Sequence, residues 1–178
     1  MDEYAVARGL LDEVTGLLPV TRAGAVELAY LHPGALMPRY SSCDTAWCLV
    51  TSIGRTSNFP QPDMSFNGPA DAMVSLTLGV DRCYVRPDDN LALDVAEVDS
   101  QMRDILDDGR ALRQAIQCWA SKNRRSRVLV GPWTPTGPAG DVFGGQITVQ
   151  VLADNVCRCD GFTSVDDGTP RLAGDPRG

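Results

Sequence analysis

The pattern of apolar and polar positions divides residues 1–154 into two helices and five strands. Over residues 2–18, Val6, Leu10, Val14 and Leu17 share one helical stripe with Leu11 and Leu18 beside it, while Asp2, Glu3, Arg8, Asp12 and Glu13 fall largely elsewhere. This predicts an amphipathic helix ending near Pro19. Val26, Leu28 and Tyr30 alternate with Glu27 and Ala29 as a short strand, turned by His32-Pro33-Gly34. A second β-prone run, Ala46 to Ile53, is closed by Asn58-Phe59-Pro60-Gln61-Pro62. A third alternates from about Met73 to Val85 and is stopped by Pro87-Asp88-Asp89-Asn90.

Asp94 and Glu97 have capping-box spacing, which predicts helix entry at Asp94. Beyond it Val95, Val98, Met102, Ile105, Gly109, Leu112, Ile116 and Trp119 form one apolar seam that passes through Asp107-Asp108-Gly109 without losing register. The seam predicts a long helix packed on the domain's own sheet, an intermolecular coiled coil being the lesser reading. Next, Val128-Leu129-Val130 leads into Gly131-Pro132-Trp133-Thr134-Pro135-Thr136-Gly137-Pro138-Ala139-Gly140-Asp141, then Gly144-Gly145, then an alternating run with Ile147, Val149 and Val151 on one face and Thr148 and Gln150 on the other. Two strands joined by a long Gly/Pro-rich loop are expected, the loop acting as a contact arm or structured hairpin tip.

These elements predict an α+β fold: a mixed, mostly antiparallel sheet, a long helix packed on one face, an N-terminal helix and an extended Gly/Pro-rich hairpin loop. Residues 1–154 read as one domain. Residues 155–178, rich in aspartate and glycine and poor in core formers, read as a polar tail, either disordered or an arm ordered against a neighbouring subunit.

Charge narrows the partners. A net charge of −7 argues against phosphate contacts as the main source of affinity, and so against a nucleic-acid reader. The basic cluster Lys122-Asn123-Arg124-Arg125-Ser126-Arg127 reads as a solvated helix exit, favoured by the negative helix C-terminus, or as a docking patch. No run approaches the roughly 18 apolar residues of a membrane span, and the acidic start Met1-Asp2-Glu3 is unlike a secretory signal, so no membrane contact and cytoplasmic assembly are expected.

Candidate chemistry is sparse. Neither Cys43/Cys48 nor Cys157/Cys159 has the two-residue spacing of zinc knuckles, and Cys83 and Cys118 stand alone. Reduced, partly buried thiols are expected. His32, the single histidine, reads as a turn residue rather than a catalytic base. Asp88-Asp89 and Asp107-Asp108 read as capping and solvated pairs at element boundaries. The expectation is a protein that is not an enzyme, with no cofactor and no metal. Trp133 has two open readings, a contact anchor or a packing residue across the base of its own hairpin.

Several segments together resemble neck proteins of long-tailed actinobacterial phages: Asn58-Phe59-Pro60 after a β-prone run, Leu78-Gly79-Val80-Asp81-Arg82-Cys83 ending a strand, the helix from Asp104 to Trp119 with Ala111-Leu112-Arg113-Gln114-Ala115-Ile116, and Gly131-Pro132-Trp133-Thr134-Pro135 with the glycines that follow. Such neck proteins resemble tail terminators, small α+β subunits that form a sixfold ring on the last ring of tail-tube protein and provide the surface that joins the head. The resemblance implies a structural virion protein of the neck that partners itself as a homohexamer, the major tail tube protein and a head-side connector protein. DNA would pass through the lumen without sequence-specific binding. A head-side connector or head-closure protein is the alternative. The subunit or partner contacts expected are Trp133, Pro135, Gly137, Pro138, Gly140, Asp141, Gly144 and Gly145. On this reading, removing Pro135 to Val142 leaves the fold intact and abolishes ring formation or tail attachment.

Overall fold

The computed structural model describes residues 2–34, 42–64, 70–84, 94–139 and 142–153. Along the chain lie α1 (Glu3–Leu17), a 3-10 turn (Leu18–Val20), β1 (Leu28–Pro33), β2 (Thr45–Thr56), β3 (Asp71–Cys83), α2 (Val95–Lys122), β4 (Val128–Ala139) and β5 (Val142–Ala153). The fold is α+β. Its five-stranded mixed sheet has the order β1-β2-β3-β5-β4; β1 runs parallel to β2, and every other neighbouring pair is antiparallel.

The helices begin where their caps dictate. The Asp2 carboxylate accepts from the Ala5 amide at 2.7 Å to open α1, and the Asp94 carboxylate accepts from the Ala96 amide at 2.9 Å to open α2. Pro19 sits in the 3-10 turn that ends the first helix. At the other end of α2, Asn123 donates both its backbone N–H and its side-chain amide to the Trp119 carbonyl.

Both helices cover one face of the sheet. Alternation sends Val74, Leu76, Leu78 and Val80 of β3 and Ile147, Val149 and Val151 of β5 to that face, where they meet Val6, Leu10, Leu11 and Val14 of α1 and Leu112, Ile116 and Trp119 of α2. Each fully buried aliphatic side chain here contributes about 1.5–3 kcal/mol. The apolar seam of α2 is covered only from Ile105 onward; Val95, Val98 and Met102 are 81%, 39% and 47% exposed. Expected packing therefore fails at the first turns of this helix.

Two expectations are corrected by the register. Gly131 to Ala139 is strand, not loop, because β4 pairs with β5 from Val128↔Val151 to Ala139↔Val142. Between Val130↔Val149 and Trp133↔Ile147 the two residues Gly131-Pro132 face only Thr148, and between Thr136↔Gly144 and Ala139↔Val142 the two residues Gly137-Pro138 face only Phe143. Each Gly-Pro pair is thus a β-bulge, which absorbs a proline that a regular ladder would reject. β5 is paired along its whole length with β3, from Ala72↔Ala153 to Cys83↔Val142. The hairpin is therefore a flank of the sheet and not a protruding arm, and removing Pro135 to Val142 would cut into paired strand.

The second correction concerns the thiols. β2 and β3 run antiparallel with Thr45 opposite Asp81, so Cys43 falls opposite Cys83, and the two form a disulfide with Cα atoms 4.8 Å apart. Sequence spacing hides this pairing because the two lie 40 residues apart. Cys48 and Cys118 are free, as expected. The tail 155–178 with Cys157 and Cys159, the Asp88-Asp89 pair, and Gly140 and Asp141 lie outside the described residues.

Candidate functional site

The eight residues expected to make contacts divide by position. Pro135, Gly137 and Pro138 are exposed along β4, which forms one edge of the sheet. Trp133, by contrast, is half-buried, its ring set between α2 and β5. A Cβ on Gly109 would lie 2.8 Å from its Cε2, and one on Gly145 would lie 2.4 Å from its Cζ2. Gly145 thereby leaves room for the ring. Gly144 faces the opposite side of the sheet, where an added Cβ would meet the Val80 carbonyl at 2.1 Å and Asp81 Oδ1 at 2.7 Å. Trp133 packs against both its own hairpin and α2. Two buried polar atoms of β4, Trp133 Nε1 and Thr136 Oγ1, have no hydrogen-bond partner among the described residues.

On the sheet face turned away from the helices, Trp47 lies flat on Gly79, where a Cβ would stand 2.1 Å from Cζ2. Trp47 Nε1 donates to Asp81 Oδ2 at 2.9 Å. Asp81 is only 5% exposed, and burial pushes its carboxyl up from 3.8 to about 6, against the opposing pull of the Trp47 hydrogen bond. Burial likewise pushes the Cys48 thiol up to about 12, which leaves it a protonated core residue rather than a nucleophile.

A buried ionic junction occupies the helix face. Arg82 forks onto Asp108 of α2, Nε to Oδ2 at 2.8 Å and Nη2 to Oδ1 at 3.0 Å, and Nη2 also donates to the Gly24 carbonyl at 2.8 Å. Thr21 Oγ1 donates to Asp108 Oδ1 at 3.2 Å. Next door the Arg22 amide donates to Asp107 Oδ2 at 3.0 Å, and Arg22 Nε meets Asp104 Oδ1 at 2.8 Å. The Asp107-Asp108 pair is therefore neither at an element boundary nor a solvated cap: it lies inside α2 and ties that helix to the segment entering β1 and to the end of β3. The sequence carried a signal for this junction. Arg82 is in phase with Val74, Leu76, Leu78 and Val80, and Asp108 is in phase with Ile105 and Leu112, so one cation and one anion occupy apolar stripes.

No protein-family model and no curated protein matches this chain. The motif segments nevertheless have clear places in the fold. Asn58-Phe59-Pro60-Gln61 is a tight turn with a cis Phe59-Pro60 bond, and the Arg127 guanidinium lies 5.4 Å from the Phe59 ring centroid. In the Leu78 to Cys83 run, Leu78 and Val80 fill the core, Gly79 and Asp81 receive Trp47, Arg82 holds Asp108, and Cys83 bridges to Cys43. These residues are joints of the fold. Among the described residues β4 is one of the two edges of the sheet, and Val95, Val98 and Met102 at the start of α2 are exposed.

Among the described residues no three His, Cys, Asp or Glu side chains converge as a metal site. No described helix is long and apolar enough to cross a membrane.

Proposed function

We propose that this chain is a structural subunit of a phage neck, a tail terminator that closes into a ring, ends the tail tube and presents it to the head connector. The observation that carries the reading is the β4 edge, a strand 12 residues long. Pro132, Pro135 and Pro138 deny it a regular row of N–H donors, and two bulges break its ladder, so it resists open-ended strand addition. Leu129 and Val130 on the same edge are 47% and 43% exposed. Such an edge favours one specific side-chain contact over fibre growth, which is what a closing ring of head-to-tail subunits requires.

The motif resemblance supplies the identity of the assembly, and the acidic balance suits a lumen through which DNA slides without being held by its phosphates. Gene complementation with Pro135→Glu and Pro138→Glu tests the edge. The purified variant is expected to melt within a few degrees of the unchanged chain yet to leave heads and tails unjoined. Normal infectious particles would remove the β4 edge from the reading.

A further inference from the structure

The Cys43–Cys83 bridge stands at the end of the ladder it spans. β2 and β3 pair from Thr45↔Asp81 to Thr56↔Asp71, whereas Cys43 precedes β2 and Cys83 is the last residue of β3. Those pairs and the core beneath them hold the two strands together without it. Cys83 is exposed and Cys43 half-buried, while Cys48 is sealed in the core. Exposed bridges are the ones that exchange with thiols in solution.

What the bridge holds is the entry to β1. The Asp44 carbonyl accepts from the Glu27 and Leu28 amides at 3.0 and 3.3 Å. Ser42 Oγ donates to Glu27 Oε2 at 2.6 Å and accepts from the Asp44 amide at 3.2 Å. Ser42, Asp44, Glu27 and Leu28 thus form one cluster, which the disulfide fastens to the end of β3. Beside it the Asp44 carboxylate stands 3.9 Å from Arg82 Nη1, beyond hydrogen-bond reach. β1 is a sheet edge with β2 as its one neighbouring strand, and none of its residues is fully buried. An edge strand with so little buried surface opens locally at low cost unless it is tied down.

We infer that the Cys43–Cys83 bridge is a redox-operated clasp on the β1 edge: reduction by a dithiol frees the entry to β1 and leaves the rest of the sheet folded. The thiolate of the dithiol attacks Cys83 Sγ, forming a mixed disulfide as the Cys43 thiolate leaves and takes up a proton. The second thiol of the reductant then attacks its own partner sulfur and releases Cys83 as a thiol. Two electrons pass from the dithiol, which becomes a disulfide, to the bridge, which becomes two thiols. A reducing compartment would hold the clasp open and an oxidising one would close it. The clasp does not depend on the ring reading.

The test is amide hydrogen exchange of the full chain, oxidised and after dithiothreitol under native conditions, with alkylation and peptide mass mapping to score the bridge. Cys43 and Cys83 are expected to become alkylated in the folded chain, and the Glu27 and Leu28 amides to exchange roughly tenfold or more faster, while those of Val74, Leu76 and Val149 keep their protection. Cys43→Ser with Cys83→Ser should show the fast exchange at Glu27 and Leu28 without reductant and no response to it, which separates the bridge from the other thiols. A bridge that resists the dithiol until the chain unfolds, a reduced chain with unchanged exchange at Glu27 and Leu28, or one that loses protection throughout the sheet overturns the clasp and leaves the ring reading as it stands.

Discussion

Each of the three tryptophans rests on glycine: Trp47 on Gly79, Trp119 on Gly9, and Trp133 on both Gly109 and Gly145. A planar ring gains most contact when it lies flat on backbone, and a Cβ in that place would stand 2.1–2.8 Å from ring atoms. Gly145→Ala is therefore expected to destabilise the chain by about 1–3 kcal/mol through overpacking, while Gly137→Ala, with open space around its Cβ position, should stay within about 0.5 kcal/mol. Urea unfolding of both variants checks the pair, and equal costs would contradict the packing assigned to Trp133. Asp81 carries a pH signature. Its folded carboxyl is raised to about 6 from 3.8, so it contributes most to stability in its neutral form, below pH 4, and that contribution is lost as pH rises through 6. Asp81→Asn keeps an acceptor for Trp47 and removes the titration. Relative to the unchanged chain, the variant should gain roughly 2–3 kcal/mol between pH 4 and pH 7. A stability difference that does not vary with pH would contradict the burial of this carboxyl.

At the scale of elements, the Arg82–Asp108 fork fastens α2 to β3 and to the segment before β1. Arg82→Met would leave Asp108 charged and unpaired at 3% exposure, a cost of about 3–5 kcal/mol, whereas Arg82→Met with Asp108→Leu should recover most of it. Denaturant midpoints decide; a single variant that costs under about 1 kcal/mol would show that the fork holds nothing. Periodicity made α1, α2 and β5 readable because each has one covered face whose residues must repeat at the helical or strand period. Of β4 only the start, Val128 to Val130, was readable. Its Gly-Pro pairs are turn signals in isolation, and only an edge position next to β5 turns them into bulges. The Cys43–Cys83 bridge and the Arg82–Asp108 fork depend on the registers of strands and helix, which one-dimensional spacing does not hold. Of the expected contact residues, Pro135, Gly137 and Pro138 are exposed, whereas Trp133, Gly144 and Gly145 are occupied with packing.

At the scale of the molecule, helices shield one sheet face and the β4 edge is blunted against strand addition. On the ring reading proposed above, such a guarded edge favours, over fibre growth, a head-to-tail contact that closes. Negative-stain imaging of particles made by a phage with this gene disrupted tests the central claim most directly. Loose tails of irregular or excessive length beside filled heads are the predicted result, since nothing would stop the tube or present it to the connector. Tails of uniform length beside leaking heads would move the protein to the head side, and normal infectious particles would contradict the neck assignment.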